Sequence, residues 1–232
     1  MATRYSFSFA LLSCLVLTCG IASADVIEGT TIFETTELSD DNNQVSSIIN
    51  ITDTGIVKNI SVTINNLEHT SAGDLVAELR FLGPGGPSGP SGEPAYLFFR
   101  PNVDGLPIEG SDSNLNGDYT FTDNPDDANF WLEAAATNDM ETISDQQAYF
   151  ASDIGGNFND IGGVGGGFFG GFNVAGDWQL IITDANTGIN ENNDGTVTGW
   201  TVEFHVQQVP EPATGAIVAL AAGFAAMRRR RG

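Results

Sequence analysis

Residues Gly176 to Phe204, GDWQLIITDANTGINENNDGTVTGWTVEF, carry two runs of strict alternation separated by a polar connector. Trp178, Leu180 and Ile182 alternate with Gln179, Ile181 and Thr183. Trp200, Val202 and Phe204 then alternate with Gly199, Thr201 and Glu203. A period of two is the pattern of strands with one face on a core. The connector holds Asp184, Asn186, Gly188, Asn190, Asn192, Asn193, Asp194 and Gly195, residue types that tolerate turns and left-handed backbone. The expected local structure is a hairpin closed by an acidic loop.

The same alternation recurs upstream. Strands are expected over 26–33 (at an edge), 45–51, 56–65 with Ile60, Val62 and Ile64 in step, 74–82 with Leu75, Ala77, Leu79 and Phe81 on one face, and 95–100. Residues 126–140 hold the single helical pattern, with Asp126 or Asp127 as cap and Phe130, Trp131 and Ala134 sharing a face. The expected fold is all-β, an antiparallel β-sandwich with one short surface helix. Residues 83–94, GPGGPSGPSGEP, make four Gly-x-y triplets, too few for a collagen helix, and read as a loop. Gly165-Gly166-Gly167-Phe168-Phe169-Gly170 matches Gly-x-Gly-x-x-Gly. It has no following helix and no nearby cation to meet phosphate, so Phe168, Phe169 and Phe172 are expected to plug into the core.

Both ends of the 232-residue chain read as addresses. Residues 1–24 combine Arg4, an apolar run from Phe7 to Cys19 and Ala22-Ser23-Ala24, the pattern of a secretory signal helix cleaved before Asp25. The domain proper is expected over 25–208. Its only cations up to residue 209 are Lys58, Arg80 and Arg100; of 30 acids in the chain, only Glu211 lies beyond that point. So acidic a surface repels nucleic acid and anionic membranes. Cys14 and Cys19 both fall in the signal segment, so the mature domain has no disulfide.

Residues 209–232 hold Pro210-Glu211-Pro212, an apolar run from Ala213 to Met227 expected to form a short transmembrane helix, and Arg228, Arg229, Arg230 and Arg231. This tail resembles a PEP-CTERM sorting signal. The resemblance implies an exosortase-type transpeptidase as partner and transient anchoring in the inner membrane. It also implies delivery to the cell surface or exopolysaccharide matrix of a Gram-negative bacterium.

The central domain resembles the P domain, or homo B domain, that follows the catalytic domain in kexin- and furin-like subtilases. The resemblance rests on Gly176-x-Trp178-x-Leu180, Asp184, the acidic loop and the Trp200 strand, together with His69-Thr70 and Gly73-Asp74-Leu75 upstream. It covers about residues 27–207 and implies a non-catalytic sandwich with a structural, adhesive or binding role. The alternative is an accessory domain that stabilises an exported subtilase in trans, which is how a serine endopeptidase label would attach to such a chain. The chain has no room for a subtilase domain and no Gly-x-Ser-x-Gly turn. Its two histidines, His69 and His205, are expected to be structural and exposed, respectively.

Calcium is the one cofactor with candidate ligands. Asp112, Asn114, Asn116, Asp118 and Asp123, with Gly117, fit an Asp-x-Asn-x-Asn-Gly-x5-acid loop. The same residues also fit a plain turn followed by a strand. The P-domain resemblance adds Asp74, and Asp184 with Asp194. Asp184 and Asn186 begin like a calcium loop, but Gly195 stands at position twelve, so any site there is irregular.

Overall fold

The computed structural model describes residues 24–34, 36–38, 44–83, 94–99, 113–138, 140–152, 158–162, 167–185 and 195–208. Asp112, Arg100, residues 84–93 of the Pro/Gly stretch, Asn186, Asp194, residues 1–23 of the signal segment and the whole tail over 209–232 lie outside them. No helix among the described residues is long and apolar enough to cross a membrane.

Alternating residues build two facing sheets. The strands in chain order are β1 (Ala24–Ile32), β2 (Glu37–Leu38), β3 (Gln44–Ile51), β4 (Ile56–His69), β5 (Leu75–Gly83) and β6 (Ala95–Phe98). They continue as β7 (Leu115–Thr122), β8 (Ala148–Phe150), β9 (Gly176–Asp184), β10 (Gly195–Thr196) and β11 (Gly199–Gln207). One sheet has the order β3-β9-β5-β6. In the other, β4 lies between β11 and β7, β1 flanks β11, β8 flanks β7, and β10 joins the end of β4 to β2. Pairing is antiparallel except between β7 and β8, which run parallel. The result is a two-sheet, predominantly antiparallel sandwich.

The expected hairpin does not form. β9 pairs with β3 and β5, whereas β11 pairs with β1 and β4 in the opposite sheet. The two alternating runs face each other across the core instead, and the Trp178 and Phe204 rings sit 4.6 Å apart. Period two fixes which side chains turn inward but not which strand is the neighbour.

Trp178 anchors this half of the core. Its ring packs on Phe81 at 4.8 Å and Phe169 at 5.0 Å, and its Nε1 donates to Val174 O at 2.8 Å. Phe169 is buried, while Phe168 and Phe172 are half-buried against the core, which accounts for the glycine-rich approach to β9. The other half is an aromatic cluster around Phe98, which packs on Phe121 at 5.1 Å, Phe130 at 5.4 Å and Trp131 at 6.5 Å.

The helix is shorter than the sequence suggests. α1 runs Phe130–Ala136, and its cap is Asn129, whose side chain accepts from the Trp131 and Leu132 amides. Asp127 is engaged in the preceding turn, where the Thr122 hydroxyl and Asn124 Nδ2 donate to it. Phe130, Trp131 and Ala134 do share the buried face.

Candidate functional site

β4 ends at His69, and a 3₁₀ turn over Ala72–Asp74 leads into β5. β9 ends at Asp184, and β10 begins at Gly195. These four chain ends meet at one end of the sandwich. His69 Nε2 lies 3.3 Å from Asp184 Oδ2, and the side chains are 0% and 2% exposed. His69 Nδ1 lies 2.8 Å from Ser71 O and 3.1 Å from Ser71 N. With a neutral ring donating Nε2–H to Asp184, Nδ1 accepts from the Ser71 amide. With a doubly protonated ring, Nδ1–H donates to the Ser71 carbonyl instead. Both ring nitrogens are occupied either way. Asp74 is buried in the same node, and its carbonyl accepts from the Ala185 amide at 2.7 Å.

Gly195 completes the packing. A Cβ there would stand 2.5 Å from His69 Cδ2 and collide with the Glu68 carbonyl. Only a residue without a side chain lets β10 lie flat over the imidazole. The node therefore ties the ends of β4, β5, β9 and β10 together.

Of the described residues that fit a calcium loop, Asn116 and Asp123 do not converge. β7 runs extended from Leu115 to Thr122, so at ~3.3 Å per residue Asn116 and Asp123 are separated by roughly 23 Å. Ligands of one Ca²⁺ each lie ~2.3–2.6 Å from the ion. Asp118 and Asp123 instead serve the backbone at separate places. Asp118 Oδ1 accepts from the Asn66 amide at 2.7 Å, where β4 bulges and Asn66 takes a φ of 47°. Asp123 Oδ2 accepts from the Ile60 amide at 3.2 Å and Oδ1 from Asn59 Nδ2 at 3.3 Å. Burial pushes the Asp123 carboxyl above its ordinary value, an effect these hydrogen bonds only partly oppose. The turn-plus-strand alternative describes this stretch. Asp184, the irregular candidate, directs a carboxylate oxygen at an imidazole. Among the described residues no group of three His, Cys, Asp or Glu is placed to hold a metal ion.

Beside the node lies a cleft of about 210 Å³, lined by Glu68, His69, Thr70, Asn114, Leu115, Asn116 and Thr142. The β4–β7 register sets Glu68 opposite Asn116, and a parallel bridge sets Asn114 opposite Thr142. Both walls hang on buried Tyr119, whose hydroxyl donates to Ile143 O at 2.9 Å and accepts from the Asn116 amide at 3.1 Å. Burial pushes the Tyr119 phenol up to about 12, so it stays a neutral donor. Sequence patterns singled out Asn114 and Asn116 in company with Asp118 and Asp123, not with the residues that share this cleft. Glu68, Thr70 and Thr142 carried no signal as site residues, because only the register brings them to the asparagines.

His205 is exposed on β11, as expected. Among the described residues, His69 is hydrogen-bonded to the Ser71 backbone and to Asp184.

No family profile and no curated protein matches the sequence. Among solved structures, the chain is similar to the serine protease of Aeromonas sobria in complex with its chaperone ORF2, at 14% identity and a TM-score of 0.45. It is also similar to that protease alone, at 14% identity and a TM-score of 0.43. Each match covers 81% of this chain and 28% of the other.

Proposed function

We propose that this chain is an exported, surface- or matrix-sorted β-sandwich module that acts by binding rather than by catalysis. The observation that supports this most is the sealing of His69. Its side chain is 0% exposed and spends its ring nitrogens on Asp184 and Ser71. A general base must reach the proton it removes, and although the ring edges the cleft, both of its nitrogens are already engaged, by Asp184 and by the Ser71 backbone. The signal-like residues 1–24 and the Pro210-Glu211-Pro212 tail with its terminal arginines supply the export and sorting half of the proposal, with an exosortase-type transpeptidase as partner.

The test expresses the full chain in an exosortase-bearing Gram-negative host. Cell fractions are blotted for the native chain and for a variant with Pro210, Glu211 and Pro212 replaced by alanine. The native chain is expected in the surface or matrix fraction and the variant in the inner membrane. The recovered protein is then incubated with peptide, ester and glycoside substrates. Turnover that disappears in His69→Gln while the fold persists would overturn the non-catalytic assignment.

A further inference from the structure

We propose that the cleft at the ends of β4 and β7 binds one neutral polyhydroxylated unit, a single sugar residue of a glycan. This rests on the binding-module reading and assigns that role a place and a ligand class.

The lining argues by elimination. One carboxylate, Glu68, is too few for a divalent cation, which is held by 6–8 oxygens with several charged among them. A phosphate or sulfate would find no lysine or arginine there, in a chain of net charge −22. A lipid or aromatic ring would find Leu115 as the one large apolar side chain, and that is buried. What remains is a set of hydrogen-bonding groups of both senses: the Glu68 carboxylate, the Asn114 and Asn116 amides, and the Thr70 and Thr142 hydroxyls. Vicinal hydroxyls donate and accept at short intervals and match such a set.

The size agrees. A volume of about 210 Å³ equals roughly seven water molecules at ~30 Å³ each and falls below the ~300 Å³ at which drug-sized pockets begin. It has room for one ring and not for an extended chain, so the rest of a glycan would run out into solvent.

The polar groups are fixed before a ligand arrives. Glu68 and Asn116 are cross-strand neighbours, so their spacing is set by the sheet. Asn114 Nδ2 donates to Met140 O at 2.7 Å, which orients the amide and leaves its Oδ1 as the acceptor. Thr142 is held by hydrogen bonds on either side, from the Asn114 amide to Glu141 O and from the Ile143 amide to Asn114 O. Met140 itself adopts a φ of 66° with its side chain 80% exposed. A bulky residue held in left-handed backbone is costly, and here that turn presents the carbonyl that holds the Asn114 amide. Preorganisation of this kind reduces the entropy lost on binding.

The experiment is saturation-transfer NMR on the full chain, in buffer free of sugar-based detergent. The probes are methyl glycosides of neutral hexoses and of N-acetylhexosamines, with Ca²⁺ and inorganic sulfate as competitors. At least one glycoside is expected to show transfer, weakened about tenfold or more in affinity by Asn116→Ala and by Thr142→Val, the loss of one or two good hydrogen bonds. Thr63→Val, which removes a hydroxyl bonded to Thr120 away from the cleft, should leave it unchanged. Asn116 and Thr142 are exposed, so unchanged melting temperatures will separate lost binding from lost folding. Transfer from no glycoside, or transfer equal in all variants, overturns the cleft assignment. Retention on immobilised polysaccharide that survives both variants also overturns it while leaving the wider binding role intact. Hydrolysis of a glycoside would instead overturn the non-catalytic reading on which it rests.

Discussion

Replacing His69 by leucine tests whether the node is structural. The substitution keeps roughly the bulk of the ring but removes the Nε2 contact to Asp184 and the Nδ1 partner of the Ser71 amide, both buried. Deleting the partner of a buried carboxylate costs ~3–5 kcal/mol, because the charge it held is left desolvated. Asp184 has further interactions, so the lower end, about 3 kcal/mol, is the expected loss. For a domain of this size each kcal/mol moves the melting temperature by ~2–4 °C, which gives a fall of about 6–12 °C. Thermal unfolding of the full chain by circular dichroism measures it, with His205→Leu as an exposed control expected to stay within ~0.5 kcal/mol of the parent. The double variant His69→Leu/Asp184→Asn should recover part of the loss, since a buried amide is less costly than a buried carboxylate. If His69→Leu and His205→Leu shift the melting temperature equally, the node contributes nothing to folding. The argument that His69 is committed to structure then fails.

Asp123→Asn should flatten the acid limb of the stability curve. Burial holds the carboxyl above its ordinary value in the folded chain, so the folded state holds the proton more tightly than the unfolded one. Its contribution is greatest below the ordinary value and is lost as pH rises through the folded value; urea midpoints between pH 3 and 7 will show the fall in stability attributable to this group missing in the variant. Asn129→Ala removes the acceptor of two helix-start amides and should cost about 1 kcal/mol, read from the urea midpoint at pH 7. Phe98→Ala empties the centre of the aromatic cluster, where the ring is fully buried. A loss of ~3–5 kcal/mol is expected from thermal unfolding, and a loss under ~1 kcal/mol would mean that the cluster collapses to fill the space.

The sequence by itself determined which residues turn inward. Alternation at Ile60, Val62 and Ile64, at Leu75, Ala77 and Leu79, and at Trp178, Leu180 and Ile182 marks buried positions in every case. That information is local, because side-chain direction along a strand depends only on backbone period. The all-β class and the short helix followed from it. Strand partnership did not, since it depends on contacts between segments far apart in the chain. Thus β9 and β11 read as a hairpin but face each other from opposite sheets, joined by Trp178 against Phe204 rather than by backbone hydrogen bonds. The acidic spacing from Asn114 to Asp123 looked like a metal loop for the same reason: spacing along the chain becomes proximity only if the backbone curls. Pairing with β4 kept it straight. That same pairing placed Asn116 opposite Glu68, whereas the packing of one sheet on the other brought His69 to the end of β9. The cleft is therefore a product of register and the buried His69–Asp184 contact a product of sheet packing, and only the tertiary structure decided either.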